Sequence, residues 1–290
     1  MTTSFTPTES YVNQQLSEQK FDSLSLSIQI TINEVSFCVT DTKTENYLAI
    51  FNYTLAEKTD TNSLLEFFNQ IFENQVLLNK TFTEVNVSFK NNTATLVPAE
   101  LYDNEQLESY LAFIKLDNIA EYTISTDFIK EIDAYNIYAL PKTIEKTVLS
   151  KFTNAKFVHQ STSFIKSIFI NNSNLLNNNK VFVNKSNNEF ELCIFKQAKF
   201  KLYNSFQFKT DEDFLYYLLF AMKQFECEPA QTEIVLTGKI AEQSSIHQLL
   251  KKYIAIVSFA STNCSNNLKS LLNEMPEYYY FTLLNLSKCV

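Results

Sequence analysis

Apolar and polar residues alternate along the first part of the chain. LSLSIQIT, EVSFCVTD and NYLAIFNYTL read as three successive strands, joined by short polar turns into an antiparallel group. The period then lengthens. In SLLEFFNQIF, residues Leu64, Phe67, Phe68, Ile71 and Phe72 fall on one helical face. TEVNVSF, from Thr83, returns to strand alternation. The same succession recurs further on. KVFVN, FELCIFK and KFKLYNSFQF predict three strands, and TEIVLTG, from Thr232, predicts a fourth. Between them DFLYYLLFAMKQF predicts a helix that is apolar nearly all round and is expected to be buried.

The matched segments lie about 150 residues apart, the spacing that tandem duplication of one domain would produce. Lys58-Thr59-Asp60 and Lys209-Thr210-Asp211 lead into the two helices, and Ser63 with Glu66, or Thr210 with Asp213, has capping-box spacing. Three strands, a helix, a strand, a helix and further strands is the order of a ribonuclease-H-like domain, an α/β unit with helices on the faces of a mixed sheet. The expected organisation is a polar segment over 1–22, a first domain over 23–170, an Asn-rich hinge over 171–180 and a second domain over 181–290. The first domain carries IAEYTIST and NIYAL as additional strands and PKTIEKTVLSKF as an additional helix starting at Pro141. The terminal YYYFTLLNLS reads as a buried aromatic strand.

Composition narrows the chemistry. The chain of 290 residues has 26 Phe and 15 Tyr but no Trp, and therefore an aromatic core. All 24 basic residues are lysines, and the net charge is −8. Without arginine there is no planar fork to grip phosphate, and the acidity opposes counterion release, so nucleic acid is not an expected partner. Five scattered cysteines, no C-x-x-C pair and only His159 and His247 argue against a disulfide framework or a metal site. The N-terminus lacks the order of a secretory signal, and no apolar run is long enough to span a membrane, so a cytoplasmic location is expected. His159 reads as a capping or core histidine, His247 as a surface or half-buried one. Lys239, Lys251 and Lys252 read as solvated basic residues around a helix.

LPKTIEKTVLSKFTNAKFVHQSTSFI, KLYNSFQFKTDEDFLYYLLFAMKQF, LTGKIAEQSSIHQLLKKYI and the LLNLSKC ending resemble an uncharacterised bacterial family, domain-of-unknown-function family 3822. That resemblance implies the actin-like ATPase fold, two ribonuclease-H-like domains in tandem, and brings no assigned activity.

The wider actin-like group uses two phosphate hairpins, each with an Asp toward a metal-bound water and a Gly that admits phosphate. Laid on this chain, the resemblance puts Gln29 and Thr31 at the first hairpin and Asn184 and Ser186 at the second. The adenosine turn keeps Gly238, the only glycine of the chain, and has Lys239 where a second glycine is usual. A shift of two residues in the second placement would bring Glu189 to the site. These are read as vestigial nucleotide-pocket positions. No catalytic residue, metal or cofactor is expected, nucleotide binding is not expected, and the implied role is a protein-binding or scaffolding module that contacts a protein partner or itself. The alternative is an ATP-dependent phosphotransferase or ATPase with an unorthodox pocket, or a metal-dependent nuclease.

Overall fold

The computed structural model describes residues 6–13, 16, 23–55, 61–114, 116, 118–172, 179–262, 267–272 and 275–290. The chain divides into two compact units, one of residues 1–163, 264–273 and 283–290, the other of residues 164–263 and 274–282.

The first unit is built on six strands: β1 (Glu9–Val12), β2 (Leu24–Ile30), β3 (Glu34–Asp41), β4 (Tyr47–Thr54), β5 (Glu84–Phe89) and, after an insertion, β9 (Ala155–His159). Their order is β1-β4-β3-β2-β5-β9, with β2, β3 and β4 antiparallel and β5 and β9 parallel to β2. Helix α1 (Thr61–Asn74) joins β4 to β5. On β2 the alternation sends Leu24, Leu26, Ile28 and Ile30 into a core with Leu64, Phe68 and Ile71 of α1. Its other face, Ser25 and Ser27, is buried too, as a central strand covered on both sides requires.

The insertion holds β6 (Ala94–Pro98), the short helix α2 (Leu107–Tyr110), β7 (Tyr122–Ile129) and β8 (Ala134–Pro141). These strands form a separate antiparallel sheet, β6-β8-β7. Helices α3 (Lys142–Lys151) and α4 (Gln160–Asn171) flank β9, and the division between the units falls within α4, after Ser163.

In the second unit β10 (Lys180–Lys185), β11 (Glu189–Lys196), β12 (Lys199–Gln207), β13 (Glu233–Gly238) and β14 (Ile256–Phe259) run in the order β12-β11-β10-β13-β14. β10, β11 and β12 are antiparallel, and β13 and β14 run parallel to β10. This repeats β4-β3-β2-β5-β9 in order and direction. Helix α5 (Asp211–Gln224) takes the place of α1, and α6 (Ser245–Tyr253) stands between the fourth and fifth strands as α3 does. The helix read as additional in the first half is therefore a shared element, while the β6-β8-β7 sheet and the edge strand β1 have no counterpart among the described strands of the second half. Phe190, Phe214, Leu218 and Leu250 anchor the core, with the Phe190 and Phe214 rings 4.4 Å apart.

Four expectations need correction or restriction. α1 starts at Thr61, so Ser63 lies inside the helix rather than at its cap, and Lys58 to Asp60 lie outside the described residues. α5 does have the Thr210–Asp213 capping box, but it is not buried all round, since Tyr216 and Phe220 are 62% and 48% exposed. The terminal aromatic run is buried but not a strand: after Pro276 come a single turn over Glu277–Tyr280, α8 (Phe281–Asn285) and another turn over Leu286–Lys288. Tyr280, Phe281, Leu284 and Leu286 bury their side chains from successive turns, and the Tyr47 hydroxyl donates to Leu284 O at 2.8 Å. Of the Asn-rich hinge, residues 173–178 lie outside the described residues. The segment before residue 23 contributes β1, which pairs with β4. The remaining described helix is α7 (Asn267–Leu272), and no described helix is long and apolar enough to cross a membrane.

Candidate functional site

The two hairpins singled out from the sequence have the same backbone wiring. Thr31 donates its N–H to Glu34 O at 2.9 Å and its hydroxyl to the same oxygen at 3.3 Å. Ser186 does likewise to Glu189 O, at 2.9 and 3.2 Å. Each hairpin is also tied to the parallel neighbour of its first strand, just past β5 and β13: Ile30 O accepts from Lys90 N–H at 2.9 Å, and Lys185 O from Lys239 N–H at 2.7 Å. Gln29 pairs with Ser36 across its ladder as Asn184 pairs with Glu191. Thr31 and Ser186 are thus structural equivalents, and so are Gln29 and Asn184.

In the second unit four of the expected positions come together. Asn184 Nδ2 donates to Glu191 Oε2 at 2.9 Å, and the Thr237 hydroxyl donates to Asn184 Oδ1 at 3.2 Å. Glu191 is fully buried and accepts from the Tyr203 hydroxyl at 2.8 Å. Burial, reinforced by the Glu191 charge, holds the Tyr203 phenol and the neighbouring Cys193 thiol well above their usual ranges. Glu191 escaped sequence reasoning, although pairing the two arms of the hairpin from its turn puts it opposite Asn184.

Gly238 follows at φ +78°, in the left-handed region that favours glycine. A Cβ there would lie 2.2 Å from Lys185 O and 2.6 Å from Asn184 Oδ1, so the close approach of β13 to β10 excludes any side chain. Lys185 binds both loops at once: its Nζ donates to Ser186 O at 3.0 Å, Lys239 O at 3.2 Å and Asn187 O at 3.5 Å, 5.6 Å from the Phe208 ring centre. Burial pulls its ammonium below the usual lysine range, Asp211 opposes that pull and Lys239 adds to it. Gln29, half-buried, and Thr31 sit at the equivalent hairpin of the first unit, where the hydrophobic Ile30 and Phe89 stand in place of Lys185 and Gly238.

The turn after Gly238 is fixed by His247. The side chain of Ser244 caps α6, and His247 Nδ1 accepts the Gln243 N–H at 2.9 Å, with the ring 5.1 Å from Phe259. It is buried rather than a surface residue.

A second polar cluster, unmarked in the sequence, lies where β9 enters α4. Asp127 accepts from the His159 N–H at 2.9 Å, the Thr162 hydroxyl at 2.7 Å and the Tyr138 hydroxyl at 3.3 Å. Asn136 donates to Ser161 and Thr162, both at 2.9 Å. His159 Nδ1 accepts the Ser161 N–H at 3.2 Å, so His159 is a buried capping histidine. Burial first, and Asp127 second, hold the Tyr138 phenol above its usual range. Among the described residues no three His, Cys, Asp or Glu side chains are grouped to hold a metal ion.

Two sheets of like strand order, each with helices in equivalent places, define an actin-like ATPase fold. The solved structures agree. A Bacteroides thetaiotaomicron protein with actin-like ATPase fold and unknown function is 24% identical, with TM-score 0.72 over 88% of this chain and 97% of that one. The PilM-PilN type IV pilus biogenesis complex contains a chain that is 9% identical, with TM-score 0.61 over 91% of this chain and 97% of that one. The chain belongs to the family of proteins of unknown function DUF3822, whose model matches residues 13–257. No curated protein matches it.

Proposed function

We propose that this protein is a non-catalytic actin-like module that works by contacting protein, its nucleotide site vestigial. The observation that carries the reading is the closure of both hairpins on themselves: the Thr31 and Ser186 hydroxyls are turned back to Glu34 O and Glu189 O. A magnesium–nucleotide complex fits these residues poorly. Side chains stand where phosphate would approach the backbone, and an amide, Asn184, already committed to Glu191, stands where a carboxylate would hold magnesium's water. The one retained glycine has a reason to persist without a ligand, because β10 leaves no room for a Cβ. Strand β2, the first arm of the first hairpin, presents Gln29 rather than the acid that two-metal nuclease chemistry needs. Support for a contact role comes from the PilM-PilN structure, a fold relative solved as a complex.

The buried carboxylate of Glu191 beside Asn184 favours the rival reading, a phosphotransferase with a displaced acid. Thermal melting with millimolar ATP and magnesium separates the two. A ligand at 100 times its Kd would add about 2.7 kcal/mol. The proposed reading expects no shift and no ATPase, kinase or nuclease turnover, together with specific co-purification of a protein from the native cell. A reproducible rise with metal-dependent turnover, lost in E191Q or E189Q, overturns it.

A further inference from the structure

Helix α5 buries Phe214, Leu218 and Ala221 but leaves Tyr216 and Phe220 at 62% and 48% exposure. Glu212, Tyr216, Phe220 and Lys223, all exposed, follow one another at helical spacing, so one outward stripe runs from acidic through aromatic to basic. The rings pack on one another. Tyr216 stacks on Phe220 with centroids 6.1 Å apart and meets Tyr217 edge-on at 5.5 Å, and Tyr217 stacks on Phe206 at 5.4 Å. Clustered exposed aromatics with a charged rim are what the centre of a protein contact is made of.

The order of charges says which occupant fits. A partner of uniform charge would satisfy one end of the stripe and be repelled by the other. An antiparallel copy of the same helix satisfies both. The midpoint of Glu212 and Lys223 lies between residues 217 and 218 and that of Tyr216 and Phe220 at 218, about 0.75 Å apart along the helix. One twofold axis at the level of Leu218 therefore sets Glu212 opposite the second copy's Lys223 and Tyr216 opposite its Phe220, each pairing made twice. That is the condition for an isologous interface. At 1.5 Å rise per residue the two charges stand about 16 Å apart along the helix, so both ends come into register together. We propose that two copies of this chain associate through the exposed face of α5, antiparallel about Leu218. A single helix face buries less than the roughly 1,200 Å² of a stable interface, so the dimer is weak and concentration-dependent. The proposal deepens the contact role above by naming one surface and one partner, and it can fail while that role stands.

Sedimentation velocity of the full chain tests it. The wild type is expected to dimerise reversibly at micromolar concentrations and F220D to remain monomeric. E212K and K223E should each weaken the dimer about tenfold at low salt, since each replaces two attractions with two repulsions. The double variant E212K/K223E restores self-complementarity and should recover wild-type association, and an equimolar mixture of the two single variants should form a mixed dimer. All these positions are exposed, so the charge series reads association with the fold intact. A chain monomeric at every concentration, a dimer indifferent to F220D, or a double variant no better than the singles overturns the proposal. Partner capture and nucleotide melting are separate readouts, so failure of the dimer is distinguishable from failure of the contact role.

Discussion

Asn184 donates its amide Nδ2 to the carboxylate of Glu191 at 2.9 Å across the β10–β11 ladder. Restoring an acid at this position would not simply restore a nucleotide site. With Glu191 fully buried, N184D exchanges a donor for a second negative charge at hydrogen-bonding distance. The expected loss at neutral pH is about 2 kcal/mol or more, because a charge-assisted hydrogen bond is replaced by repulsion. Urea unfolding of N184D and wild type at neutral pH checks it, and an unchanged midpoint would show that the pair is not coupled.

Gly238 is the only glycine of the chain, and two costs coincide there. Its φ of +78° strains any L side chain, and an added Cβ would meet the Lys185 carbonyl at 2.2 Å. G238A is therefore expected to lose about 2–4 kcal/mol, the range of left-handed strain combined with a backbone clash. Chemical denaturation measures it. A loss below half a kilocalorie would mean that the turn relaxes freely and that the glycine is kept for another reason.

The succession of three strands, a helix and a fourth strand was legible because alternation survives in both halves and the turns are short. The order of the strands in each sheet was not, since β5 and β13 pair in parallel with strands far back in the chain. The Thr210–Asp213 capping box was legible, being four consecutive residues. What local pattern could not show is tertiary. Tyr216 and Phe220 carry the same apolar signal as Phe214, and only the position of α5 on its sheet decides which are covered. Asp127, Asn136, Ser161 and Thr162 are brought together from β7, β8 and α4, and no periodicity links them. At the hairpins the resemblance identified Thr31 and Ser186, and their identical hydrogen bonds needed coordinates to be seen.

Asp127 collects three donors, the His159 N–H and the Thr162 and Tyr138 hydroxyls, and so fastens the inserted sheet to the start of α4. D127A would leave those donors buried without their acceptor. Each such loss costs on the order of 1–3 kcal/mol, so the variant is expected to lose about 3 kcal/mol or more in all. D127N keeps the shape and one acceptor oxygen and should lose less. Hydrogen exchange supplies the discriminating measurement: protection should fall first at Ser161 to Phe164, and uniform loss across the unit would deny Asp127 this local role.

His247 makes the pH dependence of the turn after Gly238 predictable in sign. Its Nδ1 must be unprotonated to accept the Gln243 N–H, and Gln243 holds a positive φ of 65° in that turn. Burial, with Lys251 adding to it and Glu242 opposing, lowers the folded pKa below the ordinary value of 6.5. In the window between the folded and unfolded values the unfolded chain binds more protons, so stability rises with pH there. The contribution is complete above about 6.5 and is lost progressively as pH falls toward the folded value. H247N offers a neutral acceptor that does not titrate, so its stability should fall less between pH 7 and pH 5 than that of the wild type. Parallel denaturant titrations of the two proteins across that range give the comparison, and parallel slopes would assign the acid sensitivity to other groups.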